Sequence, residues 1–188
     1  MPGEGASDAR VMLIGEGPGA QEDESGRPFV GAAGQLLDKL LARAGLRREE
    51  VFITNVVKCR PPGNRTPATE EIAACNDWLI AQIAAIQPEI IVCIGSPAAK
   101  TLLSPDFRIT RQHGVPLERE GITYLPVFHP AAILRETVPM EALEGDFDAL
   151  RRLLSGEPAP RPKSEVAPPI PEATEPVREE EPGQLGLF

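Results

Sequence analysis

Two periods run through the apolar positions of this chain. Short runs rich in β-branched residues, Val11–Ile14, Val51–Thr54, Ile90–Ile94 and Tyr124–Phe128, are bounded by turn residues and predict buried strands. Between them the spacing turns helical. Leu36, Leu37, Leu40, Leu41 and Ala44 share one helical face that stops at Gly45. Thr66-Pro67 followed by Glu70 and Glu71 predicts an N-cap with proline at the first helical position. That helix runs through Ile72, Leu79, Ile83 and Ile86 to Pro88, and Ser96-Pro97 repeats the start signal after the third strand. Strands alternating with helices imply a three-layer α/β/α sandwich around a short, mainly parallel four-stranded sheet. The pattern ends at Leu154. Residues 155–188 hold eight prolines and no helical period, which predicts a folded domain over 1–154 and a disordered tail closing on QLGLF.

In an open parallel sheet, ligands sit beyond the carboxyl ends of the strands. Three polar segments fall there: GEGPGAQEDESGRPFVG (residues 15–31), TNVVKCRPPGNRTP and HPAAILR. The glycine-rich turn suggests a phosphate cradle, but it carries Glu16, Glu22, Asp23 and Glu24 and no following Lys-Ser/Thr, so a nucleotide P-loop is disfavoured. Glu16, Glu22, Phe29, Asn55 and His129 can converge on one crevice. Phe offers a stacking face, Asn a donor and an acceptor, and His a donor to a developing oxyanion. That set suits a flat, neutral, hydrogen-bonding base better than a phosphate. Each residue alone also fits a plainer reading, with Asn55 capping a strand, His129 in a turn before Pro130, and Phe29 in the core.

Composition adjusts this picture. A net charge of −9 argues against a nucleic-acid partner, but it is uneven. The tail sets seven glutamates against Arg161, Lys163 and Arg178, while cations gather at Lys58, Arg60 and Arg65, at Arg108, Arg111 and His113, and at Arg135. Local potential governs phosphate contact, so DNA stays open. No signal peptide or membrane-length apolar run is visible, and the expected state is a cytoplasmic monomer whose three cysteines are ligands or core rather than disulfides.

The segments GEGPGAQEDESGRPFVGAAGQLL, ITNVVKCRPPGNRTP and FHPAAILR resemble, in order and spacing, the motifs of the family 4 uracil-DNA glycosylases, the iron–sulfur type, over residues 3 to 154. The resemblance implies a uracil-DNA glycosylase fold and a hydrolase of base excision repair. In it, uracil flipped from DNA stacks on Phe29 and is read by Asn55, in a pocket that includes Gly17. Glu22 excludes the thymine methyl, and His129 donates to the uracil oxygen that gains charge as the glycosidic bond breaks. Ile133, Leu134 and Arg135 match the loop that fills the vacated duplex. Gly17 stands where a related family has its water-activating Asp, leaving Glu16 as the nearest residue to position water. A basic insert that marks a DNA-trapping variant of the family is absent, which favours hydrolysis.

The family also implies a 4Fe-4S cluster on four cysteines. Cys59 and Cys75 match the second pair; the first, a CxxC, has no counterpart, and Cys93 within IIVCIG reads as core. MPGEGASDAR resembles family sequence that follows the CxxC, so one expectation is a reading frame begun too late, and the other is a lost cluster. QLGLF, Gln184 to Phe188, resembles the pentapeptide that grips the bacterial sliding clamp. Two rivals stand beside the enzyme: a clamp-associated protein that binds uracil or single strands without cleaving, and a small-nucleotide-binding α/β protein.

Overall fold

The computed structural model describes residues 1–157. In chain order the elements are β1 (Glu4–Gly5), β2 (Val11–Gly15), α1 (Ala20–Ser25), α2 (Ala32–Arg43), β3 (Phe52–Asn55), α3 (Thr69–Ile86), β4 (Ile90–Ile94), α4 (Ser96–Leu102) and α5 (Ile109–Gln112). Then follow β5 (Leu117–Arg119), β6 (Ile122–Val127), α6 (Pro130–Leu134) and α7 (Met140–Ser155). The strands form one sheet in the order β1-β3-β2-β4-β6-β5. The inner four are parallel and the two edges antiparallel.

All of β2 and all of β4 is buried, as runs such as VMLI and IIVCI require when both faces are covered. On one face α2 and α7 bring Leu37, Leu41, Leu143 and Phe147 against Leu13, Ile53 and Leu125. On the other, α3 and α4 bring Leu79, Ala98 and Ala99 against Met12, Ile14 and Ile91. β2 therefore pairs with β3 on one side and β4 on the other, with the connecting helices on opposite faces, which opens a crevice at its carboxyl end. Its register sets Gly15 opposite Asn55 at the rim of that crevice.

The sheet has six strands rather than the four that the hydrophobic pattern predicts. β1 and β5 are two and three residues long and half exposed, so neither carries an apolar alternation. Helix α3 begins at Thr69, not at Thr66-Pro67: the N–H of Ala68 donates to Glu71 Oε2 at 2.8 Å. Gly95 rather than Ser96 precedes α4, and Ser96 is its first residue. The acidic turn holds a helix of its own, α1, ended by Gly26 at φ +71°. The last helix runs one residue beyond Leu154, to Ser155, and the QLGLF end lies outside the described residues. Among the described residues no helix is long and apolar enough to cross a membrane.

Candidate active site

The carboxyl ends of β2, β3, β4 and β6 surround a cleft of about 450 Å³ whose walls include Glu16, Gly17, Phe29, Asn55, Gly95 and His129. The parallel ladder continues past β3 into this rim. Val56 N–H donates to Gly15 O at 2.9 Å and Val57 N–H to Glu16 O at 3.1 Å, which fixes Glu16 and Asn55 relative to each other. Glycine is required at position 15. A Cβ there would stand 2.5 Å from Asn55 Oδ1 and 2.7 Å from Phe29 Cζ. At Gly17 it would stand 2.7 Å from Val57 Cγ2.

Asn55 is 3 % exposed. Its main-chain oxygen accepts Lys58 Nζ at 2.8 Å, while its side-chain amide has no hydrogen-bond partner among the described residues. An amide that meets the cleft with its donor and acceptor both free is an unfilled recognition edge.

His129 caps the amino end of α6. Its Nδ1 accepts the Ala131 N–H at 3.1 Å. A backbone N–H can only donate, so Nδ1 carries no proton and the neutral ring holds its proton on Nε2. Burial, with the nearby Arg135 charge, pushes the His129 pKa down to about 4, against a smaller upward pull from Glu22. At neutral pH the ring is therefore an uncharged N–H donor. Gly95, at φ +87°, makes room for it: a Cβ there would lie 3.1 Å from His129 Cβ.

Phe29 stacks on His129, with centroids 5.7 Å apart and planes at 27°. Its backbone sits at φ +50°, a left-handed conformation that costs a side-chain-bearing residue about 1–3 kcal/mol and persists only when its surroundings enforce it. Two groups enforce it. Glu22 Oε1 accepts the N–H groups of Val30 and Gly31, each at 3.0 Å. From the other side Arg48 donates to Phe29 O at 3.1 Å and to Pro28 O, and is itself held by Glu4 and Asp38, each at 3.0 Å. Arg48 was invisible in the sequence because it acts on backbone carbonyls from within a charged run. Its removal should therefore loosen the ring. Arg48→Ala is expected to slow single-turnover catalysis about tenfold, from loss of a charge-assisted clamp of about 1–3 kcal/mol. Lysine should fail to restore the rate, since the two carbonyls are met by separate nitrogens, Nη1 and Nη2, while Nε holds Glu4, and a single ammonium does not reproduce that fork.

Burial raises the Glu16 carboxyl above its ordinary pKa, opposed by a hydrogen bond with Thr66 and by the charge of Arg135. Beyond the cleft, Ile133 packs on the core while Leu134, 52 % exposed, and Arg135 project at the end of α6. Of the three residues expected to enter a duplex, Leu134 and Arg135 are exposed, with Arg135 Nε donating to Ala131 O at 3.2 Å, and Ile133 is partly buried against the core.

The cysteines separate by environment. Cys59 is exposed, and half-buried Cys75 accepts the Lys58 N–H at 3.3 Å. Cys93 is buried in β4, and burial drives its thiol pKa far up. Among the described residues no three His, Cys, Asp or Glu side chains gather where a metal ion could be held.

Residues 2–148 match the family described as the uracil DNA glycosylase superfamily. The chain belongs to the uracil DNA glycosylase superfamily. It is 50% identical over 135 residues to the type-4 uracil-DNA glycosylase of Thermotoga maritima, covering 71% of this chain and 70% of that one. With the type-4 uracil-DNA glycosylase of Archaeoglobus fulgidus it shares 45% over 161 residues, 81% of each chain. Similarity to the type-5 uracil-DNA glycosylase of Pyrobaculum aerophilum is lower, 32% over 150 residues.

Proposed function

We propose that this chain is a uracil-DNA glycosylase that hydrolyses the N-glycosidic bond of deoxyuridine, releasing uracil and leaving an abasic site for base excision repair. The observation that carries the reading is the neutral Nε2–H donor of His129, set in one cleft with the unpartnered Asn55 amide. A base must leave the duplex before such a pocket can reach it. Asn55 then pairs with the uracil edge, Phe29 supplies a stacking surface, and Leu134 with Arg135 enters the gap. As the bond breaks, its electron pair goes to uracil, and His129 stabilises the resulting oxyanion. One such donor in a water-excluded site is worth about 2.7–4 kcal/mol. Glu16 orients the water that adds to the sugar, and a proton of that water passes to solvent or to the departing base. Release of free uracil from a uracil-containing oligonucleotide, with strand scission after alkali, tests the reading; intact strands would refute it.

The reading gives Glu22 two tasks, anchoring the Phe29 turn and excluding the thymine methyl. Glu22→Gln keeps an acceptor for Val30 and Gly31, so the turn and the filter should both survive. Glu22→Ala should weaken uracil excision and raise the thymine-to-uracil rate ratio together. An unchanged ratio in steady-state competition would place the filter elsewhere.

Toward the 4Fe-4S cluster implied by resemblance, the described residues supply Cys59 and Cys75, half of a tetracysteinate set. They do not by themselves fit the group, and no step above runs through it. Clamp binding through Gln184–Phe188 is supported by the sequence of that end. Deleting those five residues should abolish clamp binding while leaving excision from a short oligonucleotide unchanged.

A further inference from the structure

Helix α7 turns an apolar face to the sheet, where Leu143, Phe147 and Leu150 are fully buried. Asp146 lies on that same face, 1 % exposed. A buried carboxylate costs several kcal/mol unless its oxygens are bonded. Both are. His113 Nδ1 donates to Oδ1 at 2.6 Å, and the Phe128 N–H donates to Oδ2 at 3.0 Å. The second donor carries the significance, because Phe128 is the residue between the end of β6 and His129.

The approach to His129 is tied at each preceding residue. Pro126 O accepts the Gly114 N–H at 2.8 Å and Val127 O accepts the Gly95 N–H at 2.9 Å. Asp146 secures the third position through the Phe128 N–H. His113 closes the arrangement, its ring packed against that of Phe128 with centroids 4.1 Å apart and planes tilted by 40°. The loop comes in so tightly that a Cβ on Gly114 would stand 2.7 Å from Asp146 Oδ1. The Ala131 N–H holds the imidazole from the far side, at Nδ1, so the Asp146 carboxylate supplies the tie on the residue immediately before it.

We infer that Asp146, braced by His113, is a positioning residue that fixes the orientation of His129 through the Phe128 N–H. The inference rests on the reading of His129 as the oxyanion donor. Without the carboxylate, a buried N–H loses its partner, and the backbone rotation that relieves this carries the imidazole with it. A displacement of about 1 Å at a reacting group can cost about 10²-fold in rate.

The test compares Asp146→Ala, Asp146→Asn, His113→Leu and His129→Ala in the full chain. Single-turnover excision, binding to an uncleavable abasic-site oligonucleotide, and two-bond ¹⁵N–¹H spectra of the imidazoles are measured. The chain has two histidines, so the His113 variant assigns both signals. Asp146→Ala is expected to slow excision about 10- to 100-fold with DNA affinity within about twofold, and to blur the single Nε2–H tautomer of His129. Asp146→Asn keeps an acceptor for Phe128 and offers its amide to a neutral His113, so it should recover to within about threefold of the parent. His113→Leu, which leaves Asp146 in place, should lose about three- to tenfold, and it carries the test should Asp146→Ala not fold. Parent-like rates in folded Asp146→Ala or in His113→Leu, beside a slow His129→Ala, overturn the inference alone. An Asn variant as slow as Ala, with the His129 spectrum unmoved, also overturns it. A parent-like His129→Ala overturns it together with its premise.

Discussion

Asn55→Ala should lower the single-turnover rate of uracil release by at least about 10²–10³-fold, in a protein that still folds. Asn55 is 3 % exposed and lies at the end of a strand whose register sets it opposite Gly15. Its donor and acceptor have no partner among the described residues, so bound uracil is what satisfies them. Truncation removes both at once and leaves the polar edge of the flipped base desolvated and unpaired, a loss that grows as charge builds on the ring. Water can fill the space left behind but brings no fixed dipole. The neighbouring support is separate. Lys58 Nζ holds the Asn55 main-chain oxygen, and the Thr54 and Gln82 side chains at 2.9 and 2.6 Å, none of which depends on the deleted amide. Thermal melting should thus move little while chemistry collapses. A rate within about threefold of the parent, equivalent to about 0.7 kcal/mol, would mean that Asn55 does not read the base.

The division between what the sequence reveals and what it hides follows physical lines. The four inner strands were legible because burial on both faces demands unbroken β-branched runs, as in Ile90–Ile94. Glu16, Asn55 and His129 were legible as neighbours because a parallel sheet gathers its carboxyl ends. The edge strands were not, since the pairing of Glu4 with Ile53 and of Leu117 with Tyr124 is imposed by a neighbour rather than by their own pattern. Thr66-Pro67 misled because it has the composition of a helix start, whereas the Glu71 carboxylate closes on Ala68 and Thr66 turns to Glu16. Arg48 was hidden because its partners are carbonyl oxygens, which every residue possesses. Asp146 was in principle visible. An acid between Leu143 and Phe147 on the apolar face of an amphipathic helix is a buried charge awaiting a partner, and only the fold supplies His113 and Phe128.

His129→Ala should lower the same rate by about 10²–10³-fold, and its pH behaviour should separate an oxyanion donor from a proton-transfer acid. A general acid must be protonated, so an imidazolium mechanism predicts a rate that falls as pH rises through its pKa. Here the Ala131 N–H occupies Nδ1, and burial beside Arg135 holds the pKa down at about 4. The parent rate should therefore show no His129 limb between pH 5 and 8. On the proposal that ionised Glu16 orients the water, its raised pKa places an acid limb above the ordinary carboxylate value. Stability offers an independent readout. The unfolded chain protonates this histidine near pH 6.5 and the folded chain only near 4, so the unfolded state binds the extra proton as pH falls between them. His129 thus makes the folded protein less stable at pH 5 than at pH 7. The alanine variant loses that penalty, and its melting temperature should drop less than the parent's between the two. A parent rate that falls with a midpoint near 6.5 would show that the imidazolium, not the neutral ring, serves the departing uracil.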